Sequence, residues 1–124
     1  DSCGLLLLTN DGTFANKIMH PRHEITKTYV AKLDGKISDE DIQQLNRGVK
    51  LEDGFVQCKA RRLGLDVVEL TLHEGRNKIV KRIFNSLHYY VVFLQRIRIG
   101  SVSLGTLGEG KWRHLTQKEI ESFG

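Results

Sequence analysis

Cysteine is scarce in this 124-residue chain, and the two present, Cys3 and Cys58, stand far apart. Neither belongs to a CxxC pair or has a Cys/His neighbour at metal-ligand spacing, which excludes a disulfide scaffold and a thiolate zinc site. Isolated thiols of this kind read as reduced core or near-surface residues and suit a reducing compartment, so a cytoplasmic location is expected. Long apolar runs are missing as well. The longest, the four leucines at 5–8, falls far short of the ~20 residues a membrane-spanning helix needs. No charged-then-apolar leader precedes it, and no low-complexity linker or internal repeat divides the chain.

Signatures of nucleophile or cofactor chemistry are absent too. The sequence has no Walker loop, no Ser/His/Asp set and no Gly-rich dinucleotide loop. His20 and His23 lie close together but lack carboxylate or cysteine partners. Neither a cofactor nor a metal is expected. A further absence concerns charge. Residues 75–108 contain no Asp or Glu, yet hold Arg76, Lys78, Lys81, Arg82, Arg96 and Arg98, in a chain whose net charge is only +4. The acids gather instead in "SDEDIQQL" and "EIESF". A one-signed stretch suits a surface facing a polyanion, with a solvated helix face as the plainer alternative.

With 40% hydrophobic residues, what remains is one domain, long enough to bury roughly two-thirds of its unfolded surface. "GLLLLTNDG" reads as a buried strand at 5–9 running into an Asn-Asp-Gly turn. Thr13 can cap a short helix to Met19, stopped by His20-Pro21. "KTYVAKLDG" sets Thr28, Val30 and Lys32 against Tyr29, Ala31 and Leu33, a half-buried strand. Ser38 caps a helix whose first turn is acidic and which ends at 46–48. Strands follow at 55–62 and 66–73.

In "RNKIVKRIFNSL", Ile79, Val80, Ile83, Phe84 and Leu87 share one helical face. Residues 89–104 are β-branched and aromatic and read as strand, with Arg96 and Arg98 on the same side by simple alternation. Trp112 begins a last short strand, and Thr116 caps a final helix with Glu119 at the capping-box position. The sum is an α+β fold, a mixed and mostly antiparallel sheet with helices packed on it.

A helix opened by Glu74-Gly75-Arg76-Asn77 and carrying Lys78, Lys81 and Arg82 suits phosphates. Tyr29, on a strand between Lys27 and Lys32, is an aromatic face amid cations that can stack an unpaired base; a core or rim tyrosine is the alternative. Residue chemistry alone therefore points to an RNA-binding α+β domain.

Four blocks in order, "GLLLLTNDG", "HPRHEITKTYVAKLDG", "LHEGRNKIVKRIF" and "GKWRHLTQKEI", resemble the catalytic domain of the RsuA-like family of bacterial ribosomal RNA pseudouridine synthases over almost the whole chain. The resemblance implies a pseudouridine-synthase-like fold and a cofactor-free isomerisation. The uracil is detached from its ribose C1′, rotated, and rejoined through carbon 5. It implies ribosomal RNA as partner and a cytoplasmic protein, expected to be a monomer with no membrane contact.

The family's catalytic aspartate lies in a G-R-L-D-x-x-[ST]-x-G-L block. Ser2 matches the [ST] position and Gly4-Leu5 the G-L, so the aspartate is expected two residues ahead of Asp1, and Asp1 itself is not the nucleophile. Residues 1–124 are then expected to be a partial catalytic domain, inactive alone and without the S4-type RNA-binding domain that many relatives carry upstream. Tyr29 matches the tyrosine of the K-x-Y block, implied to stack on the target base. Lys81 matches the basic residue of the Q-[IV]-[RK] block, implied to pair with the aspartate and hold it ionised. Without that partner, Lys81 loses its main counter-charge.

Val80 matches the apolar residue implied to pack under the tyrosine ring, and Ile79 departs from the family glutamine. Arg76 and Asn77 match a G-R-N turn, with RNA contacts implied there; Lys78, Arg82, Arg96 and Arg98 are the further basic candidates for RNA. The alternative from another class is a non-catalytic RNA-binding module acting in ribosome assembly.

Overall fold

The computed structural model describes residues 2–8, 25–73, 78–103 and 113–122. In chain order they form β1 (Ser2–Gly4), β2 (Lys27–Leu33), α1 (Asp39–Arg47), β3 (Val49–Leu51), β4 (Gly54–Val56), β5 (Cys58–Arg62), β6 (Val67–Leu72), α2 (Ile79–Ser86), β7 (Val91–Ile99), β8 (Val102–Ser103) and α3 (Gln117–Glu121). The main sheet runs β1-β7-β2-β6-β5, with β8 alongside β7, and β3 and β4 form a separate hairpin. β1 is parallel to β7 and the other pairs are antiparallel, which gives the mixed, mostly antiparallel sheet expected of the sequence.

Alternation in β2 decides which side of the sheet is dry. Tyr29, Ala31 and Leu33 are buried, and their cross-strand partners on β6, Leu70 and Val68, are buried with them. Against this face α2 lays Ile79, Val80, Ile83 and Phe84, each 2% exposed or less. At about 2 kcal/mol per buried side chain, that stripe is what holds a helix of only two turns in place.

α1 begins as its sequence dictates, with the Ser38 Oγ accepting from the Asp41 N–H at 3.1 Å. It ends at Gly48, whose N–H reaches the carbonyls of Gln44 and Leu45. Near its end, the Asn46 amide donates to the Ala60 carbonyl and accepts from the Ala60 N–H, at 3.0 and 2.9 Å. A side-chain amide thus satisfies the open edge of β5 at Ala60 in place of a further strand.

Several expectations change. Of the strand expected at 5–9, residues 5–8 are not strand and Thr9 lies outside the described residues; the strand is Ser2–Gly4, and within the run Leu5 is buried while Leu6 and Leu8 are 66% and 86% exposed. After Gly4 the chain leaves the ladder, keeping one further bond from the Leu5 N–H to the Arg96 carbonyl, so the run does not pack as one continuous strand. The strand expected at 55–62 is two strands in different sheets, because β4 turns back on β3 before β5 joins β6.

No strand is present at 113–116, where Thr116 instead caps α3 in the expected capping box, with reciprocal bonds to Glu119 of 3.1 and 2.9 Å. Trp112 and the helix expected at 13–19 lie outside the described residues.

Candidate active site

Tyr29 and Arg96 are direct cross-strand partners on β2 and β7. Opposed residues project to the same face, with Cβ atoms about 5 Å apart. Lys27, two residues from Tyr29 on β2, projects to that face as well. This row interrupts the dry side of the sheet. Tyr29 belongs to the larger apolar cluster with Leu70, Leu94 and the α2 residues. Leu5, Ile99 and Val102, with Ile25, Leu7 and Leu115 against them, form a second, separate cluster. Ile99 pairs with Lys27, so both clusters lie on one face, and the tyrosine, the guanidinium and the lysine stand where they part.

Next to Arg96 on its other side runs β1, with Gly4 opposite Arg96 and Ser2 opposite Leu94. Gly4 has φ +130°, and a Cβ built there would lie 2.3 Å from the Arg96 backbone nitrogen. Only glycine lets the two strands approach this closely. The Arg96 Nε donates to the Leu5 carbonyl at 2.7 Å, which fixes the guanidinium over the β1–β7 seam. The N-terminal strand is therefore two strands from Tyr29, level with it in register.

α2 brings the second group of candidates to the same side. Val80 is buried in the cluster that contains Tyr29. Ile79, which stands where the family has glutamine, is buried too, as a core residue. Lys81 is half-buried, and no ion pair or hydrogen bond joins its side chain to the described residues. Lys78 is exposed, and it opens α2 in the left-handed conformation, φ 55°, with no side-chain cap on the helix. Arg82 is committed elsewhere: its two terminal nitrogens meet both carboxylate oxygens of Asp53 at 3.1 and 2.6 Å. Arg76 and Asn77 lie outside the described residues.

One expectation about faces is corrected. Arg98 does not share a side with Arg96. β7 carries an extra residue between the Arg96–Tyr29 and Arg98–Thr28 pairs, and this bulge at Ile97 turns Arg98 to the face of Thr28. There Arg98 lines a cavity of about 380 Å³ with Thr26, Thr28, Arg61, Glu69 and Thr71. Lys32 projects to that opposite face as well, as the alternation of β2 predicts, and pairs with Asp66 at 3.0 Å.

Lys27 is the cation that does share the Tyr29 face. Burial, and after it the Arg96 guanidinium, lower its pKa from the ordinary lysine value. The two-residue spacing in Lys-x-Tyr was the available signal for its placement. Among the described residues, no group of three or more His, Cys, Asp or Glu side chains could hold a metal, and no helix is long and apolar enough to cross a membrane.

Comparison with known proteins gives one answer. The family model for RNA pseudouridylate synthase matches residues 1–86. The ribosomal large subunit pseudouridine synthase B of Bacillus subtilis is 45% identical over 98% of this chain and 52% of its own length. An uncharacterized RNA pseudouridine synthase of Aquifex aeolicus is 43% identical over 94% of the chain and 49% of its own length. A crystal structure of a pseudouridylate synthase superposes with a TM-score of 0.92 at 38% identity, over 98% of this chain and 54% of that one. The chain thus spans about half the length of the curated relatives it matches. On the family match, the identities and the shared fold, the chain belongs to the RNA pseudouridylate synthase family.

Proposed function

We propose that this chain is the larger part of the catalytic domain of an RNA pseudouridine synthase, which converts uridine to pseudouridine in ribosomal RNA. The observation that carries the reading is the placement of Tyr29, buried at 9% exposure yet at the boundary of its apolar cluster, opposite Arg96 and on the side of the sheet that α2 covers. A uracil turned out of its RNA stack could lie against such a ring, beside cations that suit the phosphates on either side.

In this reading Tyr29 stacks on the base and Val80 packs beneath the ring. Lys81 orients an aspartate supplied by a G-R-L-D segment ahead of Asp1 in a longer parent chain. That carboxylate would give Lys81 the counter-charge it lacks among the described residues, and the lysine would in turn hold it ionised. Lys78 and Arg96 contact RNA backbone. Arg82 has the weaker claim, since Asp53 occupies its fork. Ribosomal RNA as substrate is supported by the similarity to the ribosomal large subunit pseudouridine synthase B of Bacillus subtilis.

The test is release of tritium from ribosomal RNA labelled at uridine carbon 5, because forming the new carbon–carbon bond expels that hydrogen. Release by the parent chain supports the reading. Tight RNA binding without release would make the protein a binding module instead.

A further inference from the structure

Four of the basic side chains on the sheet and its helices have settled on internal carboxylates. Lys32 pairs with Asp66, Arg61 with Glu69, Arg62 with Asp39 and Arg82 with Asp53. Lys27 and Arg96 are not among them. They project to the same face, both partly buried, and neither has a carboxylate partner among the described residues.

Two like charges half-withdrawn from water disfavour each other, and burial adds to the cost. The fold nonetheless holds them there. The Arg96 Nε is tied to the Leu5 carbonyl, which sets the plane of the guanidinium and leaves its terminal nitrogens for something else. Gly4 gives up a side chain so that β1 can lie against Arg96. Lys27 has its own strand neighbours, Leu72 and Ile99, buried on either side, one from each apolar cluster, and a lysine stem can pack along such apolar surface.

We propose that Lys27 and Arg96 together form a seat for one backbone phosphate of the RNA, next to the base held at Tyr29. The seat rests on the RNA-modifying function given above and adds to it a residue, Lys27, and a ligand atom group. A phosphodiester suits this pair in three ways. Its non-bridging oxygens match the fork of a guanidinium held in one orientation. A compact ammonium can close on the same oxygens from the side. A nucleotide stacked on Tyr29 also carries its phosphate one ribose away from the base, and the cations begin at the neighbouring cross-strand position. Binding then supplies the negative charge that the two cations lack, and the repulsion between them becomes affinity for the correctly placed nucleotide.

The experiment uses a short single-stranded RNA with one target uridine, followed by fluorescence anisotropy across a salt series. Lys27→Met should reduce the slope of log affinity against log salt by about 1, the signature of one lost phosphate contact, and Lys27→Arg should restore it. A second arm needs no protein variant. Replacing the phosphodiester on either side of the uridine, one at a time, by an uncharged methylphosphonate should weaken binding by the unmodified protein at one of the two linkages, and that same replacement should cost Lys27→Met less, because only the Arg96 contact is then left to lose. An unchanged slope, or equal sensitivity of both proteins to both linkages, overturns the seat. If uridine in RNA is isomerised normally while the slope stays unchanged, the seat alone fails. If RNA is neither bound nor isomerised, the functional reading falls and the seat with it.

Discussion

Tyr29 and Arg96 face each other across β2 and β7, and the next residue of β7, Ile97, has no partner on β2. That single unpaired residue sorts the basic side chains of β7 onto two surfaces. Arg96 goes with the tyrosine toward α2, and Arg98 goes with Thr28 to the opposite face. A regular strand would have placed both arginines together and made the tyrosine face more strongly positive.

The approach of β1 to Arg96 makes Gly4 the most sensitive position of the N-terminal strand. Gly4→Ala meets both an unfavourable φ of +130° and a backbone atom at 2.3 Å. The cost should be about 3 kcal/mol or more, adding strain to a steric overlap that backbone alone can relieve. Chemical denaturation should show a lower midpoint with an unchanged slope.

Glu119 offers a pH test of the C-terminal helix. Its carboxylate accepts from Arg113 and from the Thr116 N–H, and these, the Arg113 bonds first, hold its pKa down to about 2. A carboxyl depressed in the folded state contributes stability above its unfolded pKa and loses it as pH falls through the folded one. The capping box should therefore hold from neutral pH down to about 4.5 and be lost progressively toward about 2. The amide signals of Thr116 and Glu119, followed by NMR against pH, should show that transition, and Glu119→Gln should abolish it.

Cys58 should be chemically quiet. It is 2% exposed, and its thiol donates to the Leu45 carbonyl at 3.1 Å. Burial pushes its pKa up to about 11, so little thiolate exists near neutrality. Iodoacetamide at pH 8 should leave Cys58 unmodified in the native protein and alkylate it in denaturant; rapid native alkylation would contradict the packing of α1 on β5.

Much of this architecture was legible in the residues. Strict alternation in "KTYVAKL" placed Tyr29, Ala31 and Leu33 on the buried side, as found. The spacing of Ile79, Val80, Ile83 and Phe84 marked the buried stripe of α2, and Ser38 and Thr116 cap the helices that their sequences announce. Other features depend on non-local partners. Nothing near Ile97 signals a bulge, because the extra residue is defined only against β2. The four leucines read as continuous core, yet the backbone needs of Gly4 end the strand before them.

Tyr29 can be interrogated by two substitutions. Tyr29→Phe keeps the buried ring and should cost less than about 1 kcal/mol of stability, whereas Tyr29→Ala empties a core position and should cost about 3–5 kcal/mol. Turnover should follow the same order when both are assayed well below their melting temperatures, since stacking needs the ring and not the hydroxyl. Equal losses in the two variants would assign the tyrosine a proton-transfer role instead.

The most direct test of the site concerns Lys81. In a parent chain carrying G-R-L-D ahead of Asp1, tritium release from carbon-5-labelled ribosomal RNA should be readily measured, and Lys81→Met should abolish it. The loss should appear in kcat, with the melting temperature nearly unchanged, because the variant keeps most of the side-chain volume and removes only the charge that orients the aspartate. Release at an undiminished rate by Lys81→Met, or no release by the parent chain itself, would contradict the assignment of the Tyr29 face as the site of uridine isomerisation.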